Sequence, residues 1–289
     1  MSVEKVILLH GPVDSPGTSP IAQNLYFSDR EMRAEKNWNH MFVCDENIRA
    51  LSYVFRQYGF KIAYSGWNED RAWLEEHRDL FDYLVISDQS TLRAYSTYKG
   101  EMIGNRKEKL YFSCLQGLKT IRDELGDDAL VFRLRSDIAV DPRAVIDDMV
   151  RLLNRPGLLI GEYFDTRRPF SAPDFMLLGH ANTLTAIYDH LYTISAADKS
   201  YHLSSHVDHT FTYLQLMKNG TVSSIELMKK RVFDSVVWRG IPRYLSYVFP
   251  NYSEELYFGG GMVMDKDADI DAMLALLEPP EMHTNNAPG

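Results

Sequence analysis

Short apolar runs alternate with periodic, helix-like segments along the first part of the chain. The runs are bounded by turn-forming residues, which is typical of buried strands, whereas apolar positions that repeat every three or four residues predict amphipathic helices. This alternation indicates a doubly wound α/β fold with a largely parallel sheet and helices on both faces. The predicted strands cover residues 6–13, 60–67, 83–87, 129–140 and 157–164.

Residues typical of helix ends mark the segments between these strands. Asp45 is a candidate N-cap and Gly59 a stop signal for the first helix, and Asp141 before Pro142 opens a later one, so Asp141 is explained without a binding role. Residues 89–109 are polar and weakly periodic, and most of this stretch is predicted to be a functional loop. Further helices are predicted over residues 70–78 and 110–125.

The pattern changes beyond Arg167. A strand is predicted over 174–180 and helices over 181–194 and 205–218, followed by irregular, aromatic-rich chain. Residues 279–289 lack apolar periodicity, which predicts a disordered tail.

Composition and charge are those of an ordinary globular protein. Hydrophobic residues make up 45% of the 289 positions, enough to bury a core. The net charge of −9 argues against general binding to nucleic acids or anionic membranes. The sequence shows neither a membrane-spanning stretch nor a signal peptide, so a cytoplasmic location is expected. Cys44 and Cys114 lie in apolar helical patterns and are predicted to be buried hydrophobes.

The residues that follow the predicted strands carry the candidate chemistry. In open α/β sheets, ligands bind outside the carboxyl ends of the strands, so these positions form the predicted site. The residues at these positions include glycines, which let a ligand approach the backbone closely, together with an aromatic ring and two carboxylates. This set suits a nucleoside diphosphate. The four ends are Gly11-Pro12, Ser65-Gly66-Trp67, Ser87-Asp88 and Arg135-Ser136-Asp137.

The familiar phosphate-binding motifs are absent from the sequence. No GxGxxG follows the first strand and no GxxxxGK[ST] occurs, which argues against dinucleotide oxidoreductases and P-loop NTPases. Charge on a departing diphosphate would instead be stabilised by a divalent cation or by basic side chains. Asp137 suits the first role, as a ligand of Mn²⁺ or Mg²⁺, and Arg135 suits the second.

Several of these motifs occur in an order that resembles a known family. They are GPV (11–13), YSGW (64–67), Asp88, Asn105-Arg106 ahead of a helix with Gly117-Leu118-Lys119, FRLRSDI (132–138) and DFMLLG (174–179). In this order the sequence resembles the WavE-type lipopolysaccharide synthesis proteins, glycosyltransferases of bacterial surface polysaccharides, over roughly its first two thirds.

The resemblance implies a GT-A-like, Rossmann-type fold, a nucleotide-sugar donor, and RSD (135–137) in place of the usual acidic metal-binding motif. It favours one domain over residues 1–278, with a nucleotide-sugar-binding half (1–165) and an acceptor-side half (166–278). The residues expected to contact the donor are Gly11, Pro12, Ser65, Gly66, Trp67, Asp88 and Arg106.

Structural interpretations compete with these roles. Asp137 could cap a turn at the strand end. Arg133 and Arg135 fall on one strand face, where they could form a buried ion-pair network instead of binding phosphate. Trp67 could be ordinary core.

Two acidic residues are candidates for the base that activates an acceptor hydroxyl. Asp208 lies in SHVD at the start of a predicted helix, where it could equally complete a capping box with Ser205. Asp174 is the other candidate for this role, and its structural interpretation is that it is simply a residue of a turn. His206 and His209 could share a helix face, but they are expected to be polar neighbours of the pocket.

The sequence therefore predicts a cytoplasmic glycosyltransferase that uses a nucleotide sugar and a saccharide or lipid-linked acceptor, with peripheral membrane association and no nucleic-acid partner. The aromatic residues of 244–258 could stack on sugar faces or simply pack in the core. One rival is a Rossmann-like methyltransferase in which Asp88 binds a ribose. The other is a non-catalytic, nucleotide-sugar-binding protein of a polysaccharide assembly complex.

Overall fold

A large mixed sheet with helices on both faces forms the framework of the chain. The computed structural model describes residues 3–15, 42–92, 95–98, 101–104, 106–153, 157–160, 176–196, 205–238, 241–242 and 271. The strands are β1 (Lys5–His10), β2 (Asp14–Ser15), β3 (Phe42–Val43), β4 (Lys61–Trp67), β5 (Tyr83–Ser87), β6 (Tyr95–Tyr98), β7 (Glu101–Gly104), β8 (Leu130–Arg135), β9 (Ile138–Ala139), β10 (Leu158–Ile160), β11 (Met176–His180), β12 (Ile225–Leu227), β13 (Val237–Trp238) and β14 (Ile241–Pro242). The α-helices are α1 (Asp45–Gln57), α2 (Arg71–Glu76), α3 (Arg106–Leu125), α4 (Pro142–Leu152), α5 (Ala181–Ala196), α6 (Ser205–Lys218) and α7 (Lys230–Asp234).

The main sheet, in the part of the chain that the structure describes, has seven strands in the order β12-β10-β11-β8-β1-β4-β5. β1 pairs in parallel with β4 and β8, β4 with β5, and β10 with β12. β11 runs antiparallel to both of its neighbours. The predicted class, a doubly wound α/β fold with a largely parallel sheet, is confirmed.

The strand order reverses between β1 and β8. From β1 the chain continues to β4 and β5 on one side, and it then returns to add β8 on the other side of β1. The register places His10 beside both Ser65 and Arg135. The parallel strands β1, β4, β5 and β8 therefore end together along one border of the sheet, which we call the carboxyl edge.

Alternating side chains of the central strands supply two separate cores. Val6, Leu8 and Val131 face α3, α5 and α6 on one side of the sheet. Ile7 and Phe132 face α1 and α4 on the other side. Because both faces are covered, these strands are apolar throughout, which is why they appear as continuous hydrophobic runs in the sequence.

Two of the predicted local end signals set helix boundaries, whereas the first helix has Cys44 and not Asp45 at its N-cap. Asp141 precedes Pro142 and accepts a hydrogen bond from the Arg143 amide, so it caps α4. The turn after α1 closes with Gly59 at a φ of +74°, a conformation that favours glycine. Cys44 and Cys114 are both buried, again as expected.

Three sequence predictions of secondary structure were wrong. Residues 129–140 are not one strand, because the chain turns after Arg135 and β9 pairs with β13 in a second sheet. Residues 89–109 are not mostly loop, since they contain the β6–β7 hairpin and the start of α3. The chain after α6 includes β12, whose pairing partner β10 lies far away in sequence, so no local pattern announces it.

Within the described ranges, no helix combines the length and the apolar character needed to cross a lipid bilayer. The predicted tail (279–289) and the aromatic residues of 244–258 lie outside the described residues.

Candidate active site

The loops that follow β1 and β8 are joined at the carboxyl edge. The Ser136 amide donates a hydrogen bond to the His10 carbonyl at 2.8 Å, and Ser136 Oγ donates to the Pro12 carbonyl at 2.9 Å. Gly11 lies between them with a φ of +119°, and a Cβ atom there would lie 2.7 Å from Ser136 Oγ. Both the backbone conformation and the close approach therefore require glycine at this position.

Side chains from two neighbouring elements fix this junction. Asn47 of α1 donates from Nδ2 to the carbonyls of Ser136 at 2.7 Å and Ile138 at 3.1 Å. The Tyr64 hydroxyl of β4 donates to the Gly11 carbonyl at 2.8 Å. These bonds satisfy carbonyls in the segments that follow β1 and β8, so the backbone at the strand-order reversal is held in one arrangement.

Arg135 and Asp137 form a bidentate ion pair at the end of β8. Arg135 Nε donates to Asp137 Oδ1 at 3.1 Å and Nη2 donates to Oδ2 at 2.8 Å. The Asp137 side chain is 4% exposed and that of Arg135 is 27% exposed. A buried carboxylate thus orients a partly exposed guanidinium, and the pair lies where open α/β sheets bind their ligands.

In this structure the Asp137 carboxylate is paired with Arg135 and is not open to a divalent metal. Both carboxylate oxygens accept hydrogen bonds from Arg135, so a cation would first have to displace the guanidinium. Over the ranges that the structure describes, no group of three or more His, Cys, Asp or Glu side chains could hold a metal ion. The metal role that the sequence gives to Asp137 stays a prediction.

His10 is a buried polar residue at the same edge that the sequence analysis did not single out. It is 1% exposed, and its Nε2 has no hydrogen-bond partner among the described residues. Burial lowers the pKa of His10 well below its usual value, and the charges of Arg133 and Arg135 lower it further. The imidazole is therefore neutral at physiological pH. A histidine closing an otherwise apolar strand was the available sequence signal.

Ser65 and Gly66, predicted to contact the donor, have packing roles in the structure. Ser65 Oγ donates to the Ser113 carbonyl of α3 at 2.7 Å, and Ser113 Oγ donates back to the Ser65 carbonyl at 3.0 Å. A Cβ atom on Gly66 would lie 2.8 Å from the Tyr64 ring and 3.0 Å from Leu74. Helix and side-chain packing thus account for both residues, and their donor contacts stay a prediction.

Trp67 lies at the end of β4 and is 8% exposed. Its ring stacks on Phe112 of α3, with centroids 6.0 Å apart, and Lys109 Nζ lies 5.7 Å from the ring centroid. Packing against α3 agrees with the structural interpretation of Trp67, and a base-stacking role stays a prediction.

Two other predicted donor contacts lie near this border of the sheet. Asp88 directly follows β5 and is exposed, and its Oδ1 accepts a hydrogen bond from the Ser90 amide at 2.9 Å. Hydrogen bonds from Ser90 lower the pKa of Asp88. Arg106 is the first residue of α3. Their binding roles remain predictions.

Asp208, the first candidate base, lies in the first turn of α6 and contacts the start of α3. It is 1% exposed, and its Oδ2 accepts hydrogen bonds from Lys107 Nζ at 2.8 Å and from the Tyr111 hydroxyl at 3.0 Å. Burial raises the pKa of Asp208, while Lys107 and Tyr111 act in the opposite direction. Its carboxylate therefore joins two helices, a contact that a capping box within α6 does not explain. The other candidate base, Asp174, lies outside the described residues.

Lys107 and Tyr111 are further residues that the sequence analysis missed. They are four residues apart on α3, and they meet an aspartate about a hundred residues later in the chain. No local sequence pattern predicts a contact between residues so far apart in the chain.

Aromatic rings pack around His209, the residue that follows Asp208 in α6. His209 is fully buried, and its ring lies in edge-on contact with Tyr111, Tyr188 and Tyr213. Arg133 is also fully buried, with its guanidinium 5.5 Å from the centroid of the Tyr188 ring. The buried interpretation thus fits Arg133, whereas Arg135 reaches the border of the sheet.

Comparisons with known proteins give distant structural likeness only. No protein-family model matches the chain, and no curated protein matches it in sequence. Among solved structures, 4-diphosphocytidyl-2C-methyl-D-erythritol synthase from Anaerococcus prevotii is similar at 11% identity and a TM-score of 0.42, over 96% of this chain and 97% of that one. Mouse xyloside xylosyltransferase 1 is similar at 12% identity and a TM-score of 0.37, over 78% of this chain and 86% of that one. The glycosyltransferase GlyE of Streptococcus pneumoniae is similar at 12% identity and a TM-score of 0.39, over 75% of this chain and 44% of that one. The fold class rests on the sheet topology itself.

Proposed function

We propose that this chain is a glycosyltransferase with a GT-A-like fold that transfers a sugar from a nucleoside-diphosphate sugar to a saccharide hydroxyl. The observation that carries the proposal is the Arg135–Asp137 pair at the strand-order reversal. It presents an oriented, partly exposed guanidinium at the border where α/β sheets bind nucleotides. A planar guanidinium is suited to bidentate recognition of phosphate oxygens.

The two groups have different tasks in the reaction. As the bond between the anomeric carbon and the diphosphate breaks, the electron pair leaves with the diphosphate, and Arg135 stabilises the negative charge that develops. Asp137 holds Arg135 in position from the buried side. The acceptor hydroxyl forms the new bond to the anomeric carbon and gives up its proton to a carboxylate, for which Asp208 is the described candidate.

The finer assignment follows from the resemblance of the sequence to WavE-type proteins. It favours a surface polysaccharide, such as lipopolysaccharide, as the pathway product and a lipid-linked saccharide as acceptor. On this basis we place the reaction in the cytoplasm, with the protein meeting its acceptor at the membrane surface.

A nucleotide-binding screen tests the proposal most directly. Wild-type protein is heated with UDP, GDP, CMP, UDP-glucose, UDP-N-acetylglucosamine, GDP-mannose or S-adenosylmethionine, each with and without Mn²⁺. A ligand that binds only the native state raises the melting temperature. We expect stabilisation by one nucleotide class and its sugar conjugate, followed by release of the nucleotide in a transfer or hydrolysis assay.

Asp137→Asn and Arg135→Gln are the informative variants, and Asp123→Asn is the matched control, because Asp123 pairs with Arg122 on an exposed part of α3. The first two should lose nucleotide stabilisation and turnover, and the control should retain both. Stabilisation by S-adenosylmethionine alone would favour a methyltransferase instead. Tight nucleotide binding without turnover over a broad acceptor panel would favour a non-catalytic binding protein.

A further inference from the structure

We infer that Lys107 and Tyr111 are positioning residues for Asp208, fixing Oδ2 so that Oδ1 is the oxygen that takes the proton from the acceptor. The inference rests on the proposed function, and it identifies the residues that position the catalytic base. Neither residue needs to touch the substrate.

The hydrogen bonds of Asp208 are distributed unequally between its two oxygens. Oδ2 accepts from the Lys107 ammonium at 2.8 Å and from the Tyr111 hydroxyl at 3.0 Å. Oδ1 is buried and has no hydrogen-bond partner among the described residues. A buried carboxylate oxygen without a donor is costly, and such groups in native proteins often mark a functional site.

The position of this carboxylate fits a role beside the donor site. α3 ends near the start of β8, so its beginning lies at the opposite border of the sheet, at the carboxyl edge. Ser113 of α3 bonds to Ser65 near the end of β4. Tyr111 and Lys107 precede Ser113 along α3, so they extend from that contact toward the region beyond the strand ends.

α6 is oriented in the same way. It ends shortly before β12, which runs parallel to β10, so Asp208 in the first turn of α6 also lies toward the carboxyl edge. The Lys107 side chain is 18% exposed, whereas that of Asp208 is 1% exposed, so Lys107 links the carboxylate to solvent.

The electrostatics of the cluster suit a base. Burial raises the pKa of Asp208, and hydrogen bonding and charge from Lys107, together with the Tyr111 hydroxyl, offset part of this rise. Lys107 therefore favours the ionised form of Asp208, which is the form that can accept a proton. In the transfer step the acceptor O–H proton moves to Oδ1 as the acceptor oxygen bonds to the anomeric carbon and the diphosphate departs. The protonated Asp208 then releases this proton to solvent.

The test measures the pKa of the Asp208 carboxyl directly by NMR and indirectly through the pH profile of activity. Protein labelled with ¹³C at aspartate Cγ is titrated by NMR, and the Asp208 signal is identified by its loss in Asp208→Asn. We expect Lys107→Met to raise the pKa of Asp208 by about one unit, and Tyr111→Phe to raise it by less. Lys107→Arg keeps the charge and should restore the wild-type pKa. Lys119→Met is the control, since Lys119 lies on the same helix but pairs with the exposed Asp189.

The activity readout is the pH profile of release of UDP or GDP from UDP-glucose, UDP-N-acetylglucosamine and GDP-mannose. In Lys107→Met the acid limb should move upward by the same amount as the NMR pKa, with rescue by Lys107→Arg and no movement in Lys119→Met. An unchanged Asp208 pKa, or a raised pKa with an unmoved acid limb, would overturn the inference and leave the proposed function standing. A wild-type protein that neither binds nor turns over any of these donors would overturn the proposed function and, with it, the inference.

Discussion

At the scale of single residues, the side chains near the strand ends fall into two groups. Gly66 and Ser65 are explained by contacts inside the fold, whereas Arg135 is held by Asp137 and reaches the surface. The sequence indicated which residues follow the strands, because strand ends are marked locally. It could not show which of them point into packed protein, since this depends on helices placed by distant segments.

Gly11→Ala tests the tight junction between the loops after β1 and β8. Alanine would be strained at a φ of +119° and would bring Cβ within 2.7 Å of Ser136 Oγ. We expect a loss of about 3 kcal/mol in the free energy of unfolding, measured in urea. Gly126→Ala is the matched control, because Gly126 has a φ of +91° but open space around a Cβ atom, and it should lose about 1 kcal/mol. Equal losses would show that the contact with Ser136 adds nothing.

Arg135 variants test whether charge or geometry matters in donor binding. Arg135→Gln removes the charge-assisted hydrogen bonds, worth about 1.5–3 kcal/mol, so affinity for the preferred nucleoside diphosphate should fall by roughly 10- to 100-fold. Arg135→Lys keeps the charge but loses the planar fork, so its affinity should fall between those of wild type and Arg135→Gln. The affinities of all three proteins for the nucleoside diphosphate are measured by isothermal titration calorimetry. Wild-type affinity in Arg135→Gln would remove Arg135 from the donor site.

At the scale of elements, long-range pairing decides what local patterns leave open. β12 is only three residues long and joins the sheet beside β10. A buried polar network ties α4 to this strand: Arg151 donates to Asp148 at 2.7 Å and to Glu226 at 2.5 Å, and Asp148 also accepts from the Lys229 amide at 2.8 Å. The network fixes the edge of the sheet that β12 forms.

Arg151→Met should destabilise the protein through this network. The side chains of Asp148 and Glu226 are 0% and 8% exposed, so removing Arg151 leaves two buried carboxylates without their cation. We expect a loss of about 3 kcal/mol in the free energy of unfolding, measured by chemical denaturation. Arg71→Met serves as control, because its pair with Glu75 is exposed on both sides, and its effect should stay below about 0.5 kcal/mol. A similarly small effect at Arg151 would contradict a structural role for the network.

At the scale of the whole molecule, ionisable side chains are buried on the face of the sheet that α3, α5 and α6 cover. His10, Arg133 and Asp208 are each at most 1% exposed there. Titration of such groups couples the stability of the entire fold to pH. The predicted division of the chain into a donor half (1–165) and an acceptor half (166–278) stays a prediction.

His10 should make stability depend on pH below the usual histidine range. Its pKa is lowered by burial and then by Arg133 and Arg135, so the folded state stays neutral while the unfolded chain takes up a proton as pH falls through about 6.5. Its contribution is therefore fully present above that pH and declines below it, by at most about 1.4 kcal/mol per pH unit.

Urea unfolding of wild type and His10→Gln between pH 7.5 and pH 5 checks this, with both pH limits chosen to span roughly the ordinary pKa of histidine. The variant should show a flatter decline of stability with falling pH. Asp208 acts with the opposite sign, because its pKa is raised, so native protein takes up that proton before unfolded protein does. Parallel curves for the two proteins would show that His10 is not the coupled group.

The sequence by itself determined the α/β class, the main strands and helices, and the residues found where the strands end. These features depend on hydrophobic period and on end signals such as Asp141 and Gly59, which act within a few residues. Only the tertiary structure decided that Arg135 closes on Asp137, that Lys107 and Tyr111 hold Asp208, and that β12 completes the sheet. Contacts between distant segments depend on how the helices pack across the sheet. A local sequence pattern does not predict that packing.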